Sequence, residues 1–243
     1  MRPLRSSEYR KLTTLRLPWL VLAATPLFSI LIAVFGVHAL TAREILLVPV
    51  AARAVADPLW FLVTVVAILA SAGEFQHRTI RTTLLSTPRR PSVLAAKALV
   101  IAGYGALVTL LGVTMASAAS VIVAQVEGVA IVAGGPADWT GVAGTVLVGA
   151  LFGTLAGALG MVTRSTALAL TTLLLWRFVG EGVLPVVLRR PEISTWTPSG
   201  VARTVVSPWH DVLTSVGSAA VLLGYVVLVA AAATVLFLRR DPA

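Results

Sequence analysis

The chain contains no cysteine, and charged residues make up only 12% of its 243 positions. The first absence excludes disulfides, thiol nucleophiles and thiolate metal sites. The second excludes an ordinary soluble domain, which carries roughly 25% charge. Histidine is scarce as well: His38, His77 and His210 fall in expected loops or helix edges, never two on one face. No His-Glu-x-x-His element occurs, and Ser199–Gly200 lacks the preceding pattern of a serine nucleophile, so the chain shows no intramembrane protease signature. Lysine appears twice, Lys11 after Arg10 and Lys97 after Ala96, so neither closes a Gly-x-x-x-x-Gly-Lys phosphate loop.

What is abundant is apolar. Hydrophobic residues make up 58% of the chain and its mean hydropathy is +0.94. So little polar surface fits lipid as the main solvent, where backbone groups must be satisfied within helices. The expected fold is an all-α membrane protein with six transmembrane helices. Apolar runs near the ~20 residues that cross a bilayer place these spans at about 17–37, 55–73, 97–119, 140–162, 166–181 and 213–238. The first run is longer than a signal-peptide core, which favours a retained helix over a cleaved leader despite the small residues near Val37–His38–Ala39.

Charge sets orientation. With both termini in the cytoplasm, Arg2, Arg5, Arg10, Lys11, Arg16, Arg78, Arg81, Arg89, Arg90, Lys97, Arg164, Arg239 and Arg240 lie inside. Only Arg43, Arg53, Arg189, Arg190 and Arg203 lie outside, with Arg177 inside a span. That asymmetry follows the positive-inside rule. It also accounts for the net charge of +9 without invoking nucleic acid.

Residues 6–16 read as an N-terminal interfacial helix, with Ser6–Ser7 as cap and Tyr9, Leu12 and Leu15 on one face; an unstructured basic leader is the alternative. Between the second and third spans lies Glu74–Arg90, EFQHRTIRTTLLSTPRR. Gly73 is expected to end the second span and Glu74 to open a new helix over 74–86. On it Ile80 and Leu84 share a face with His77 and Arg81, and Arg78 lies one turn from Arg81. Pro88 would stop it. A plain connector whose arginines only hold topology fits the same residues.

This segment, followed by Lys97, resembles the corresponding loop of permeases of bacterial type-2 ATP-binding-cassette (ABC) exporters. In that pattern an acidic residue at the end of the second span precedes a threonine–hydrophobic pair, Leu-Leu, proline, arginines and a later lysine. His77–Arg78 departs from the glycine common before the threonine. The motif covers about 25 residues, and the layout of six spans with an amphipathic N-terminal helix extends the likeness over the chain. The resemblance implies a non-catalytic permease subunit in the cell membrane that exports a hydrophobic or amphipathic compound (drug, peptide or lipid-like). It implies two partners, a cytosolic ABC ATPase and a second copy or a related permease. ATP and Mg would sit on the ATPase, and this chain would bind no cofactor or metal. Residues 74–86 would be the coupling helix, with Phe75, Ile80 and Leu84 as apolar contacts, His77, Arg78 and Arg81 as polar ones, and Glu74 anchoring the start beside an arginine.

Two further features stand out. Arg177 and Glu181 are four apart on one face of the fifth span, either as a gate or dimer contact or as headgroup charges at a helix that ends near Gly180. If mutual neutralisation is all that matters, exchanging the two charges is tolerated. Thr145, Gly149, Gly153 and Gly157 recur every fourth residue, a stripe for close packing within the bundle or against a second copy. Residues 182–210 are rich in proline and tryptophan; the resemblance implies an outer re-entrant cap, and a plain loop is the alternative. An ATP-independent secondary transporter, or an intramembrane enzyme, would share the span count.

Overall fold

The computed structural model describes residues 8–10, 13–40, 45–76, 90–207 and 214–239. Among these the chain is overwhelmingly helical, and six helices are long and apolar enough to cross a membrane. In chain order the elements are α1 (Arg16–Leu40), β1 (Ile45–Leu47), α2 (Val48–Arg53), α3 (Ala56–Gln76), α4 (Arg90–Glu127), β2 (Ala130–Val132) and α5 (Pro136–Thr163). Then come α6 (Thr166–Leu174), a π-helical turn (Leu175–Gly180), α7 (Glu181–Val187), α8 (Ile193–Trp196), α9 (Pro198–Val206) and α10 (Ser215–Arg239).

Local chemistry sets several of these boundaries. Pro136 opens α5, and Asp138 Oδ2 accepts the Gly135 N–H at 2.9 Å, covering a donor the helix cannot use. At its other end Arg164 turns left-handed at φ 55°. Ser165 then caps α6, and Thr197 caps α9 with Pro198 behind it.

α5 is the centre of the bundle, packed against α3, α4, α9 and α10. The small-residue stripe explains how. A Cβ on Gly149 would lie within 3 Å of Thr109, and one on Gly105 would meet the Gly149 carbonyl, so α4 and α5 touch backbone to backbone there. Gly153 faces Val63 and Ile101, and Gly157 faces Ile101 and Ser71. Thr145 is buried, and its carbonyl accepts Trp60 Nε1–H at 3.0 Å. The stripe is therefore used inside the chain.

Several expected boundaries move. α4 is 38 residues long, which at 1.5 Å per residue is about 57 Å, well beyond the ~30 Å of a hydrocarbon core. The expected span 97–119 is only its middle. Its far end meets a feature absent from an all-helical expectation, a parallel pairing of β1 with β2 in which Leu46 lies opposite Ile131. Strands of three residues are too short to leave a periodic signal. Beside them His38 Nδ1 lies 2.7 Å from Glu127 Oε1, joining the ends of α1 and α4.

The fifth span does not stop at Gly180: the π turn carries it into α7 as far as Val187. Within residues 182–207, α8 and α9 follow the end of α7, and α9 packs its buried face (Val201, Ala202, Val205, Val206) on Trp60, Val148 and Leu222. Arg53, expected as an outer-loop charge, is drawn into this packing. Its Nε donates to the Pro49 carbonyl at 3.0 Å and its Nη1 to the Val206 carbonyl at 2.6 Å, a cation on the C-terminal end of α9. Gly141 leaves the room, since a Cβ there would collide with both Arg53 and the Val206 carbonyl.

Candidate functional site

The first site lies where α3 ends and α4 begins. α3 runs helically through Gly73 to Gln76, so Glu74 and Phe75 close this helix rather than open a new one. Gly73 simply continues in helical backbone. Lys97, two turns into α4, reaches back to meet it: Lys97 Nζ lies 2.7 Å from Glu74 Oε1 and 3.1 Å from Glu8 Oε2. All three residues are buried, at 9% exposure or less. The partner expected for Glu74 was an arginine; among the described residues it meets Lys97, which also contacts Glu8.

A buried ion is stable only with opposite charge in direct contact, and breaking one such pair costs about 3–5 kcal/mol. This cluster therefore pins the N-terminal segment, the end of α3 and the start of α4 together. The helices on either side of residues 77–89 are thereby held to each other. His77, Arg78, Ile80, Arg81 and Leu84 lie outside the described residues.

Phe75, expected as an apolar contact for a partner, is engaged within the chain. It meets Phe237 edge-on with centroids 6.3 Å apart, while Arg164 stands over its ring at 5.2 Å. The left-handed Arg164 at the end of α5 thus touches the end of α3, a cation–π contact. Thr166 Oγ1 donates to Gln76 Oε1 at 2.9 Å and ties α6 to the same corner. Next to the ion cluster opens a cavity of about 600 Å³, bordered by Glu8, Arg16, Val66, Glu74, Lys97 and Thr166.

The second site surrounds the charge pair of the fifth span. Arg177 Nη1 donates to Glu181 Oε2 at 3.1 Å. The pair is not isolated. Glu181 Oε1 accepts the Ser199 N–H at 3.2 Å, so this carboxylate also seats the N-terminal turn of α9. Arg177 Nη2 stands 3.8 Å from Asp57 Oδ2, beyond hydrogen-bond length. The same Asp57 oxygen accepts Arg203 Nη2–H at 2.7 Å and Nε–H at 3.2 Å. Asp57 and Arg203 escaped the sequence reading because 146 positions separate them and each looks like an ordinary loop charge. The π turn is the local cause of the geometry. It widens the helix at Arg177, and Gly180 leaves space for the Trp176 ring, which a Cβ would meet at 2.9 Å.

Two cavities share this network. One, of about 590 Å³, is walled by Trp60, Phe61, Phe152, Trp176, Trp196 and Tyr225 with aliphatic neighbours. The other, of about 310 Å³, is bordered by Ser194, Thr195, Arg203 and Thr204. Arg177, Glu181, Thr197 and Ser199 border both. Tyr225 donates its hydroxyl to the Trp196 carbonyl at 2.7 Å, bracing the apolar wall. Among the described residues no group of three or more metal-ligating side chains is found. A scan against protein-family models finds no match for this chain, and a search of curated proteins finds none either.

Proposed function

We propose that this chain is the membrane-spanning permease subunit of an ABC exporter, driven by ATP hydrolysis on a separate cytosolic subunit. One observation carries the reading. Glu74 and Lys97, the acidic residue and the later lysine of the motif that resembles type-2 permeases, meet at 2.7 Å in a buried cluster. A connection clamped at both ends passes displacement to the helices it joins, whereas a slack one absorbs it. Residues 77–89 in this reading receive the ATPase's movement, and α3 and α4 carry it into the bundle as rigid-body rocking.

The six apolar helices suit such a role, with the basic end facing the cytoplasm. The fifth span supports a two-permease assembly, because it leaves Trp176, Phe178, Val183, Val186 and Val187 exposed on one chain. In this reading the coupling contacts narrow to Ile80 and Leu84 as apolar residues and His77, Arg78 and Arg81 as polar ones, since Phe75 is used within the bundle.

The test is co-purification with an ATPase encoded beside this chain. Ile80→Asp with Leu84→Asp is expected to abolish association while the permease still reaches the membrane and keeps its thermal unfolding midpoint. Undiminished association of that variant removes the coupling role from this segment. Transport by the purified chain with no ATPase present would favour a secondary transporter instead.

A further inference from the structure

We infer that the paired cavities beside Arg177 form a binding site for an amphiphile with an anionic head group, seated within one chain. The two compartments are chemically opposite and contiguous. The larger offers aromatic and aliphatic walls, the smaller offers hydroxyls and guanidinium groups, and the residues between them belong to both. Volumes of about 590 and 310 Å³ lie within the ~300–1,000 Å³ of small-molecule sites. A wholly apolar compound would leave the polar chamber desolvated and unmatched. A wholly polar one would gain nothing from Trp60, Phe152, Trp176 and Trp196.

The sign of the head group follows from which valences are spent. Glu181 has both oxygens engaged, by Arg177 and by the Ser199 N–H. Asp57 accepts from Arg203 through Oδ2 and borders the larger cavity but not the smaller one. The arginines, with five N–H donors each, are not saturated among the described residues. Arg203 binds Asp57 through Nε and Nη2, leaving Nη1, and Arg177 Nη2 stands 3.8 Å from its nearest carboxylate. Arg203 is also more than half exposed, open to an incoming group. Donors are thus in surplus where the two cavities join, and an anion satisfies them with charge-assisted bonds. The π turn makes the site, presenting Arg177 to the join and Trp176 to the apolar wall from one widened coil.

The same chemistry is offered by an anionic bilayer phospholipid and by a free fatty-acid-like compound. That such a ligand is cargo rests on the permease reading above; that it binds does not. The assay therefore uses the full chain alone, in nanodiscs of zwitterionic phospholipid, with cis-parinarate as probe and energy transfer from tryptophan as signal. Saturable binding is expected, displaced by palmitate and far less by hexadecanol or hexadecyltrimethylammonium. Arg203→Gln is expected to weaken binding roughly tenfold, the loss of one charge-assisted bond, and to erase the preference for palmitate over hexadecanol. If phosphatidylglycerol in the nanodisc competes with the probe, the natural source is the bilayer; if it does not, the ligand is a free amphiphile. Absence of saturable binding in the wild-type chain, or displacement by hexadecanol as strong as by palmitate, overturns the proposal. Transport failing with an ATPase while this binding persists would count against the permease reading alone.

Discussion

The second and fifth spans each carry an acid–base cluster near one end, yet they stand in opposite surroundings. Across an apolar stretch of eighteen residues, 56% of the Val48–Gln76 span is buried within the chain, against 6% of the Thr166–Val187 span. In α3 the ions join three segments of the chain in a buried cluster. In the fifth span they join a mostly exposed helix to α9, while Thr166 and Ala169 hold its start against α3 and its neighbours. Apolar helices of similar appearance thus differ in packing: one is largely buried within the chain, the other largely exposed on it.

Removing Lys97 tests the first half of that contrast most severely. Lys97→Ala leaves the Glu8 and Glu74 carboxylates buried without their shared cation, at an expected cost of about 3–5 kcal/mol. Thermal unfolding in detergent would read this as a large drop in midpoint. A shift no greater than that of a surface substitution would mean that the cluster is not a clamp.

A matched pair of truncations sharpens the contrast itself. Leu59→Ala on α3, at a position with 0% exposure, is expected to cost about 2–5 kcal/mol. Leu175→Ala at the start of the π turn, where the side chain is 57% exposed, is expected to shift stability by less than about 0.5 kcal/mol. Equal losses would break the comparison. A loss at Leu175 that grows as the protein is diluted would show that a second copy covers this face.

A further test concerns the fifth-span charges. If Arg177 and Glu181 only neutralised each other, the exchange Arg177→Glu with Glu181→Arg would be silent. The structure predicts otherwise, because the exchange sets a guanidinium against the Ser199 N–H and a carboxylate beside Asp57. A loss of about 1–3 kcal/mol is expected, again from the unfolding midpoint. Wild-type stability in the exchanged protein would reduce the network to a simple pair.

Much of the fold was legible along the chain. Apolar runs located the long helices, and the four-residue spacing of Thr145, Gly149, Gly153 and Gly157 marked a close helix contact. The site was legible only in part. Lys97, Arg177 and Glu181 drew notice because a charge in an apolar run is conspicuous, and Glu74 because it opens the basic motif. Arg53, Asp57 and Arg203, at or near expected span edges, gave no signal of a shared network. Phe75 was assigned a partner contact through the family resemblance, and its contacts with Phe237 and Arg164 within the chain were not legible.

Composition and hydropathy by themselves determined the helical class, the number of long apolar helices and the lack of a nucleotide loop. These follow from summed properties of contiguous residues, since burial in lipid demands local backbone bonding. Only the tertiary structure decided which cations meet which carboxylates, that α3 runs on past Gly73, that the fifth span widens into a π turn, and that two loops pair as strands. Each depends on groups far apart in sequence whose mutual distance is set by helix packing, and a buried charge takes its partner from whatever that packing brings within reach.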